Sequence, residues 1–136
     1  MPTARSELAA GVVNGIIYAM GGQNGINNFA TVEAYNPGTN TWSVVASMSS
    51  TREAPSVASI DGILYAAGGQ VDGANNSGAL LASMESYDPL SNSWTAELAM
   101  PTARESARAG VANGKLYVIG GVGSAGLLAT VEEYTP

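Results

Sequence analysis

Arginine is the residue type in this sequence whose spacing most directly suggests chemistry. Arg5, Arg52 and Arg104 follow one another at spacings of 47 and 52 residues, and Arg108 adds a fourth. Guanidinium groups bind carboxylates and other anions through paired hydrogen bonds. These are four of the five basic residues, in a chain with 11 acidic residues and a net charge of −6. If the fold brings them together, they form a local anion-binding surface on an acidic protein.

The same spacing also allows a purely structural role for the repeated arginines. An acid stands within two residues of each one, and a second acid recurs two residues before a later tyrosine. The two series are Glu7, Glu53 and Glu105, and Glu33, Glu85 and Glu132. If these acids form ion pairs with the arginines within or between repeats, the guanidinium groups are not available to a ligand. The sequence leaves both roles open, and Arg108, which has no counterpart in the other repeats, fits the structural role least readily.

The composition excludes several classes of function. Histidine and cysteine are absent, which removes histidine-based triads, cysteine nucleophiles, disulfides and zinc–thiolate sites. We therefore predict no metal and no cofactor. The negative charge argues against nucleic acid as a partner, and no apolar run is long enough to cross a membrane. The start of the chain has no apolar core of a signal peptide, which together with the missing cysteine favours a cytoplasmic location.

Two short motifs resemble ligand sites without the rest of the required pattern. Residues 121–126 read Gly-Val-Gly-Ser-Ala-Gly after an apolar strand, like a dinucleotide-binding fingerprint. That fingerprint needs a following helix and a more distant acid, and the equivalent segments of the other repeats lack it, so we predict a glycine-rich loop. Residues 72–76 could suggest calcium, but the terminal glutamate of an EF-type loop is missing.

The arginines belong to an internal repeat that organises the whole chain. A pentapeptide recurs as Met1–Arg5, Met48–Arg52 and Met100–Arg104. A double glycine, three residues after a tyrosine, recurs as Gly21-Gly22, Gly68-Gly69 and Gly120-Gly121. Repeats of this kind indicate stacked supersecondary units. We assign the units to residues 1–47, 48–99 and 100–136, the third being partial.

Each unit is predicted to contain short antiparallel strands and no helix. The first and second strands are joined by Asn-Gly or Asp-Gly, the strongest short hairpin signal. The predicted first strands are residues 8–13, 56–60 and 107–112, and the second strands are 16–20, 63–67 and 115–119. Third strands are predicted at 31–35, 82–87 and 130–134. Fourth strands carry Trp42 and Trp94, and the third unit has none.

A unit of about 50 residues with four antiparallel strands is a propeller blade, and its pattern resembles the kelch repeat. The resemblance rests on the double glycines, the tyrosine before each, the later tyrosine (Tyr35, Tyr87, Tyr134) and the tryptophan seven residues beyond it. It implies an all-β propeller of four-stranded blades and a non-catalytic protein-binding module. Some kelch-like propellers are oxidases or sugar epimerases. The copper oxidases need cysteine and histidine, which leaves an isomerase of anionic sugars, using Glu105 and Arg108, as the alternative.

Three blades leave two apolar faces uncovered, whereas propellers close with about 4–8 blades. We expect a homodimer that closes a six-bladed ring, the chain being half a propeller of evolutionary or engineered origin. A fragment of a longer protein, or a ring with another blade number, is the alternative. The loops between second and third strands should share one face with the arginine segments. The predicted binding residues for an acidic protein segment or small anion are Arg5, Arg52, Arg104, Arg108, Gln23, Asn28, Gln70 and Asn76.

Overall fold

A computed structural model of the chain describes residues 1–71 and 78–136, and these form an all-β structure built from three larger antiparallel sheets and one two-stranded hairpin. The first sheet contains β1 (Ala9–Val13), β2 (Ile16–Met20), β3 (Val32–Asn36) and β4 (Thr41–Val45). The second contains β5 (Ser56–Ile60), β6 (Ile63–Ala67), β7 (Met84–Asp88) and β8 (Ser93–Glu97). The third contains β9 (Arg108–Ala112), β10 (Lys115–Ile119) and β13 (Val131–Tyr134). We call these sheets blades 1, 2 and 3.

Each blade is a simple meander in which neighbours in sequence are neighbours in the sheet. The order is β1-β2-β3-β4 in blade 1 and β5-β6-β7-β8 in blade 2. In blade 3 the order is β13-β10-β9, so the part of the chain that the structure describes holds three strands there, as predicted. The second strands match their predicted bounds at every residue, and the ends of the first and third strands differ by at most two residues.

The hairpins between first and second strands form because both turn residues adopt the left-handed conformation. Asn14 and Gly15 have φ values of 50° and 76°, and Asp61 and Gly62 have 49° and 85°. Asparagine, aspartate and glycine tolerate this region, and the resulting turn matches the twist of the flanking strands. The turns predicted from these dipeptides are therefore confirmed.

The core lies between the blades. One cluster fills the junction of blades 1 and 2 and includes Met20, Val32, Leu64 and Tyr87. A second fills the junction of blades 2 and 3 and includes Ala67, Met84, Leu116 and Val118. Burial of each blade against its neighbour is the main apolar contribution to stability, so each junction acts as a small core.

The glycine motif of residues 121–126 forms a small hairpin rather than a nucleotide-binding turn. Its strands are β11 (Val122–Gly123) and β12 (Gly126–Leu127), paired antiparallel. The prediction of a glycine-rich loop is confirmed. The segment considered for calcium, residues 72–76, lies outside the described residues. In the described ranges, no helix is long and apolar enough to span a membrane.

Candidate functional site

The segment before each first strand pairs with the start of the loop between second and third strands. Ser6 and Gln23 exchange two backbone hydrogen bonds of 2.9 Å each. Glu53 and Gln70 do the same at 2.8 and 2.9 Å, and Glu105 and Val122 at 3.1 and 2.9 Å. The arginine segments and these loops therefore lie on the same side of the blades. We call this side the loop face.

Arg5, Arg52 and Arg104 occupy equivalent positions inside their own blades. Each Nη1 donates to the carbonyl of the first glycine of the pair, at 3.0 Å from Gly21, 2.7 Å from Gly68 and 2.9 Å from Gly120. The three side chains are at most 1% exposed. These contacts fix the end of the second strand to the incoming segment.

The charged partners of these arginines are the third-strand glutamates, rather than the glutamates adjacent in sequence. Arg5 Nη2 lies 2.8 Å from Glu33 Oε2, and Arg52 Nη2 lies 2.7 Å from Glu85 Oε1. Arg104 pairs in the same way with Glu132. The structural role that the sequence left open is the one these contacts fulfil. Ligand contact by the three arginines stays a prediction, and a ligand would have to displace buried partners to achieve it.

Glu7, Glu53 and Glu105 instead come together where the blades meet on the loop face. The Ala54 N–H donates to the Glu7 carbonyl at 2.8 Å, and the Ser106 N–H donates to the Ala54 carbonyl at 3.0 Å. These bonds connect consecutive blades and bring the three carboxyl groups into one neighbourhood. Sequence analysis missed this cluster, although all three acids stand at neighbouring positions of the repeat, directly before the innermost strand.

Mutual proximity changes the acidity of the cluster. The hydrogen bond that protonated Glu53 donates to the Glu7 carboxylate, then burial, then the negative charge of Glu7 raise the pKa of Glu53 from 4.5 to about 7. Burial and the charge of Glu7 also raise the pKa of Glu105. A carboxyl group near another carboxylate holds its proton more tightly because two like charges repel. Glu53 therefore keeps its proton to a higher pH than an isolated glutamate does.

Arg108 is the predicted binding arginine whose side chain is exposed. It starts β9, and its Nη1 donates to the Ala107 carbonyl at 3.0 Å. It lines a cavity of about 190 Å³ together with Glu7, Pro55 and Ser106. A second cavity of about 270 Å³ lies along the first strands of the blades, with Arg108 again on its wall. This is the concave inner surface that the propeller prediction implies.

The predicted amide side chains connect loops to one another. Asn28 Nδ2 donates to the Gln70 carbonyl at 3.1 Å, and Gln70 Nε2 donates to the Gly78 carbonyl at 3.0 Å. Gln23 Nε2 contacts the Glu7 carboxylate at 3.5 Å. Their binding role stays a prediction, and Asn76 lies outside the described residues. Within the described ranges, no three acidic side chains are placed to hold a metal ion.

The isomerase alternative depends on Glu105 and Arg108. Both residues lie at the start of blade 3 on the loop face, and Arg108 reaches the cavity wall. Glu105 has the raised pKa that acid–base chemistry would use. The same shift follows from its place in the carboxylate cluster, so it does not distinguish a catalytic acid from a structural one.

Comparison with known proteins identifies the family to which the repeat belongs. The Kelch motif model matches residues 4–49, 51–97 and 103–136. Kelch-like protein 35 of Mus musculus is 39% identical over 123 residues, covering 90% of this chain and 20% of the relative. Kelch-like protein 33 of Homo sapiens is 33% identical over 132 residues, covering 94% and 24%. An F-box/kelch-repeat protein of Arabidopsis thaliana is 34% identical over 120 residues, covering 85% and 29%.

The chain thus spans between a fifth and a third of the length of these relatives. The three family matches together take in most of its residues, and the four-stranded antiparallel sheets of blades 1 and 2 are those of kelch blades. The chain belongs to the kelch-repeat family.

Proposed function

We propose that the chain is a non-catalytic protein-binding module that associates with a second copy of itself to complete a propeller. Kelch-repeat proteins are generally protein-binding modules, which supports the first part. The second part rests on one observation at the outer flank of blade 3. Ile119 and Val131, paired across β10 and β13, are 48% and 57% exposed, whereas their counterparts in blades 1 and 2 are at most 2% exposed. Those counterparts are Met20, Val32, Ala67 and Met84.

The outer flank of blade 1 also carries apolar residues that face a neighbouring blade elsewhere in the repeat. Ile17 and Tyr35 are half-buried there, while the residues at the same positions of blade 2, Leu64 and Tyr87, are fully buried against blade 1. A second copy would bury both flanks by placing its blade 1 against blade 3 of the first. Apolar burial stabilises such a contact by about 25 cal/mol per Å². Two copies related by one two-fold axis would bury the open flanks of blade 1 and blade 3 in both chains.

Backbone groups at the double glycine support the same docking. Gly22 N donates to Arg52 O at 2.8 Å, and Gly69 N donates to Arg104 O at 2.8 Å, so each pair receives the carbonyl of the next blade. Gly120 and Gly121 keep the same left-handed backbone, with φ of 65° and 94°. In the proposed dimer, Gly121 N donates to Arg5 O of the second copy, and six blades close one ring.

Light scattering of the purified chain tests this association. We expect a molar mass of twice 13.7 kDa and a monomer for Ile119→Glu, because a charge on the flank would be desolvated in the contact. Leu90→Glu is the matched control, since Leu90 is exposed in the turn between β7 and β8 of blade 2, and it should stay dimeric. A monomeric wild-type chain, or an Ile119→Glu variant that remains a dimer, contradicts the proposal. A larger closed ring contradicts only the six-blade stoichiometry.

The anionic ligand predicted from the sequence now rests on Arg108, because the other three guanidinium groups are buried in ion pairs. Its exposed position on the cavity wall suits contact with a carboxylate of a bound segment. An oligoglutamate peptide should bind the wild-type chain and lose most of its affinity on Arg108→Ala. Lys115→Ala, which removes an exposed lysine of the same blade, should leave that affinity unchanged. Equal binding by both variants would show that Arg108 does not contact the peptide.

A further inference from the structure

A groove of about 380 Å³ lies between blades 1 and 2, away from the loop face. Its lining includes Asn36 and Thr41, which flank the turn between β3 and β4, and Pro89 and Asn92 in the turn between β7 and β8. In an antiparallel meander these turns stand at the opposite end of the strands from the arginine segments. We call this feature the turn-face groove. Its volume is typical of small-molecule sites, which measure about 300–1,000 Å³.

The register of blade 1 explains why a groove forms at this junction. Tyr18 stands opposite Ala34, and Ala34 stands opposite Ser43. Cross-strand neighbours share one face of a sheet, so these three side chains lie together on the face that meets blade 2. The Tyr18 ring contacts Tyr87 of blade 2, with ring centroids 5.6 Å apart. Because Ala34 and Ser43 are small, blade 1 does not fill the space beside the two rings.

Tyr18 supplies a hydroxyl whose hydrogen-bonding capacity is not used by the protein. Tyr18 lines the groove and is only 6% exposed. Its hydroxyl makes no hydrogen bond to any described residue, whereas Tyr87 beside it donates to Asn92 at 2.9 Å. Burial raises the pKa of Tyr18, so the hydroxyl is protonated at neutral pH and can both donate and accept. Since an unpaired hydroxyl in a desolvated position costs free energy, a ligand that bonds to it is favoured.

Two asparagines at the edge of the groove are oriented by backbone groups. Asn36 Oδ1 accepts from the Gly38 N–H at 2.8 Å, and Asn92 Oδ1 accepts from the Ala46 N–H at 2.9 Å. Because each oxygen faces a backbone donor, each Nδ2 group points away from it. Within the described residues neither Nδ2 group donates a hydrogen bond. Both therefore remain available as donors in fixed positions, which is how a site orients a ligand.

The equivalent surface of blade 2, which meets blade 3, is charged. Asp88 stands at the repeat position of Asn36, and Glu97 stands at that of Val45. Glu97 accepts from the Tyr134 hydroxyl at 2.6 Å, so this junction pairs its tyrosine hydroxyl within the protein. In the turn-face groove every described lining residue is uncharged. An ion would lose its hydration there without gaining a counter-charge, so the groove favours a neutral ligand.

We propose that the turn-face groove binds a neutral sugar in its pyranose form. Such a ring has an apolar C–H face and a circle of hydroxyl groups, which suit an apolar floor surrounded by polar groups. The C–H face packs on the floor formed by Ala34 and Tyr87. The sugar hydroxyls bond to the Tyr18 hydroxyl and accept from the Nδ2 groups of Asn36 and Asn92. For a molecule of this size we expect a dissociation constant on the order of 1 mM.

A nuclear magnetic resonance titration of the isotope-labelled chain tests the proposal. The probes are methyl glucoside, methyl galactoside and methyl mannoside. We expect at least one of them to bind saturably and to shift the side-chain amide signals of Asn36 and Asn92. A lack of saturable binding by all three would overturn the proposal. Cyclohexylmethanol keeps an apolar ring but has one hydroxyl, so it should bind at least about tenfold more weakly; equal binding would refute recognition of a sugar.

Two matched variants locate the site. Tyr18→Phe removes the unpaired hydroxyl and keeps the ring, so it should weaken glycoside binding at least about fivefold. Its stability should not fall, because no hydrogen bond of the protein is broken. Tyr65 occupies the same position in blade 2, is also 6% exposed and lies outside the groove, so Tyr65→Phe should bind as the wild-type chain does. If the two variants bind alike, the Tyr18 hydroxyl does not contact the sugar and the assignment is wrong.

The groove is formed within one chain, so binding should not depend on the proposed dimer. Ile119→Glu should bind the glycoside as tightly as the wild-type chain while no longer dimerising. Loss of glycoside binding together with the dimer would place the site between two copies and refute the assignment to the junction of blades 1 and 2. A monomeric wild-type chain that binds the glycoside would contradict the dimer alone, so the two proposals fail separately.

Discussion

Blade 2 has a neighbour on both sides, whereas blade 3 has a neighbour on one side, and the two carry nearly the same repeat. Met84 is buried in blade 2, and its counterpart Val131 is mostly exposed in blade 3. The ion pairs differ in the same direction, since Glu85 is 4% exposed and Glu132 is 12% exposed. The repeat therefore determines where each side chain stands, and the neighbouring blade determines how far it is removed from water.

The comparison extends to hydrogen bonding. Tyr87 donates within its blade to Asn92, whereas Tyr134 donates across the junction to Glu97. Burial and this contact with Glu97 raise the pKa of Tyr134 to about 12. Tyr134 therefore donates to an acid of the adjacent blade, whereas Tyr87 donates to an asparagine of its own blade. The same amino acid thus contributes to the interior of one blade and to the connection between two.

The largest expected effect comes from removing the central ion pairs. Arg52→Leu leaves Glu85 buried without its cation and removes donors from the carbonyls of Gly68 and Ser83. Breaking a buried pair in this way costs about 3–5 kcal/mol. Arg104→Leu should cost about 2 kcal/mol, because Glu132 retains access to water and needs less compensation. Urea unfolding of the two variants, at concentrations where the chain is monomeric, measures the difference.

An exposed ion pair provides the control for this measurement. Lys115 pairs with Glu133 on the surface of blade 3, and exposed pairs contribute little because water and salt screen them. Lys115→Leu should leave the urea midpoint essentially unchanged. Equal losses for Arg52→Leu and Arg104→Leu would show that the neighbouring blade does not govern the strength of the pair.

A second comparison concerns the first glycine of each pair. An added Cβ at Gly68 would lie 2.4 Å from the Arg104 carbonyl oxygen, whereas at Gly120 the nearest atom, Leu128 O, is 3.4 Å away. Both residues have left-handed backbones, so alanine costs about 1 kcal/mol at either position. At Gly68 the clash adds about 1–3 kcal/mol. Thermal unfolding of the two alanine variants should therefore differ.

Gly120→Ala also links this comparison to self-association. In the proposed dimer, Gly120 receives the Arg5 segment of the second copy, so alanine there should lower the dimer fraction at a given concentration. Light scattering checks this outcome alongside the unfolding data. Equal destabilisation by both alanines at concentrations where the chain is monomeric would contradict the role assigned to the adjacent carbonyl.

Local features of the sequence were enough to predict most of the strands and turns. The turn dipeptides and the recurring tyrosines fixed the second strands to the residue, because these signals act over a few positions. The sequence did not identify which glutamate pairs with each arginine. Arg52 is adjacent to Glu53 in sequence, but its partner Glu85 comes close only when β6 and β7 pair. The gathering of Glu7, Glu53 and Glu105 was missed for the same reason, because it depends on the packing of three separate blades.

The smallest expected effect is a pH dependence that comes from this carboxylate cluster. The pKa of Glu53 is about 7 in the folded chain and near 4.5 when unperturbed. The folded state therefore holds a proton that the unfolded chain has already released between these values. As pH rises from 4.5 towards 7, the free energy of unfolding must fall, and above 7 this contribution becomes constant.

Urea midpoints between pH 5 and 8 measure this dependence, and glutamine variants assign it. Glu53→Gln should flatten the profile and raise stability at pH 8 by about 1 kcal/mol, less than the full shift implies because solvent screens the partly exposed group. Glu105→Gln should have a smaller effect, since burial rather than a shared hydrogen bond is the main cause of its raised pKa. A Glu53→Gln profile parallel to that of the wild-type chain would mean that Glu7 and Glu53 do not share a proton. The blade junction would then lack the coupling that distinguishes it from the open flank of blade 3.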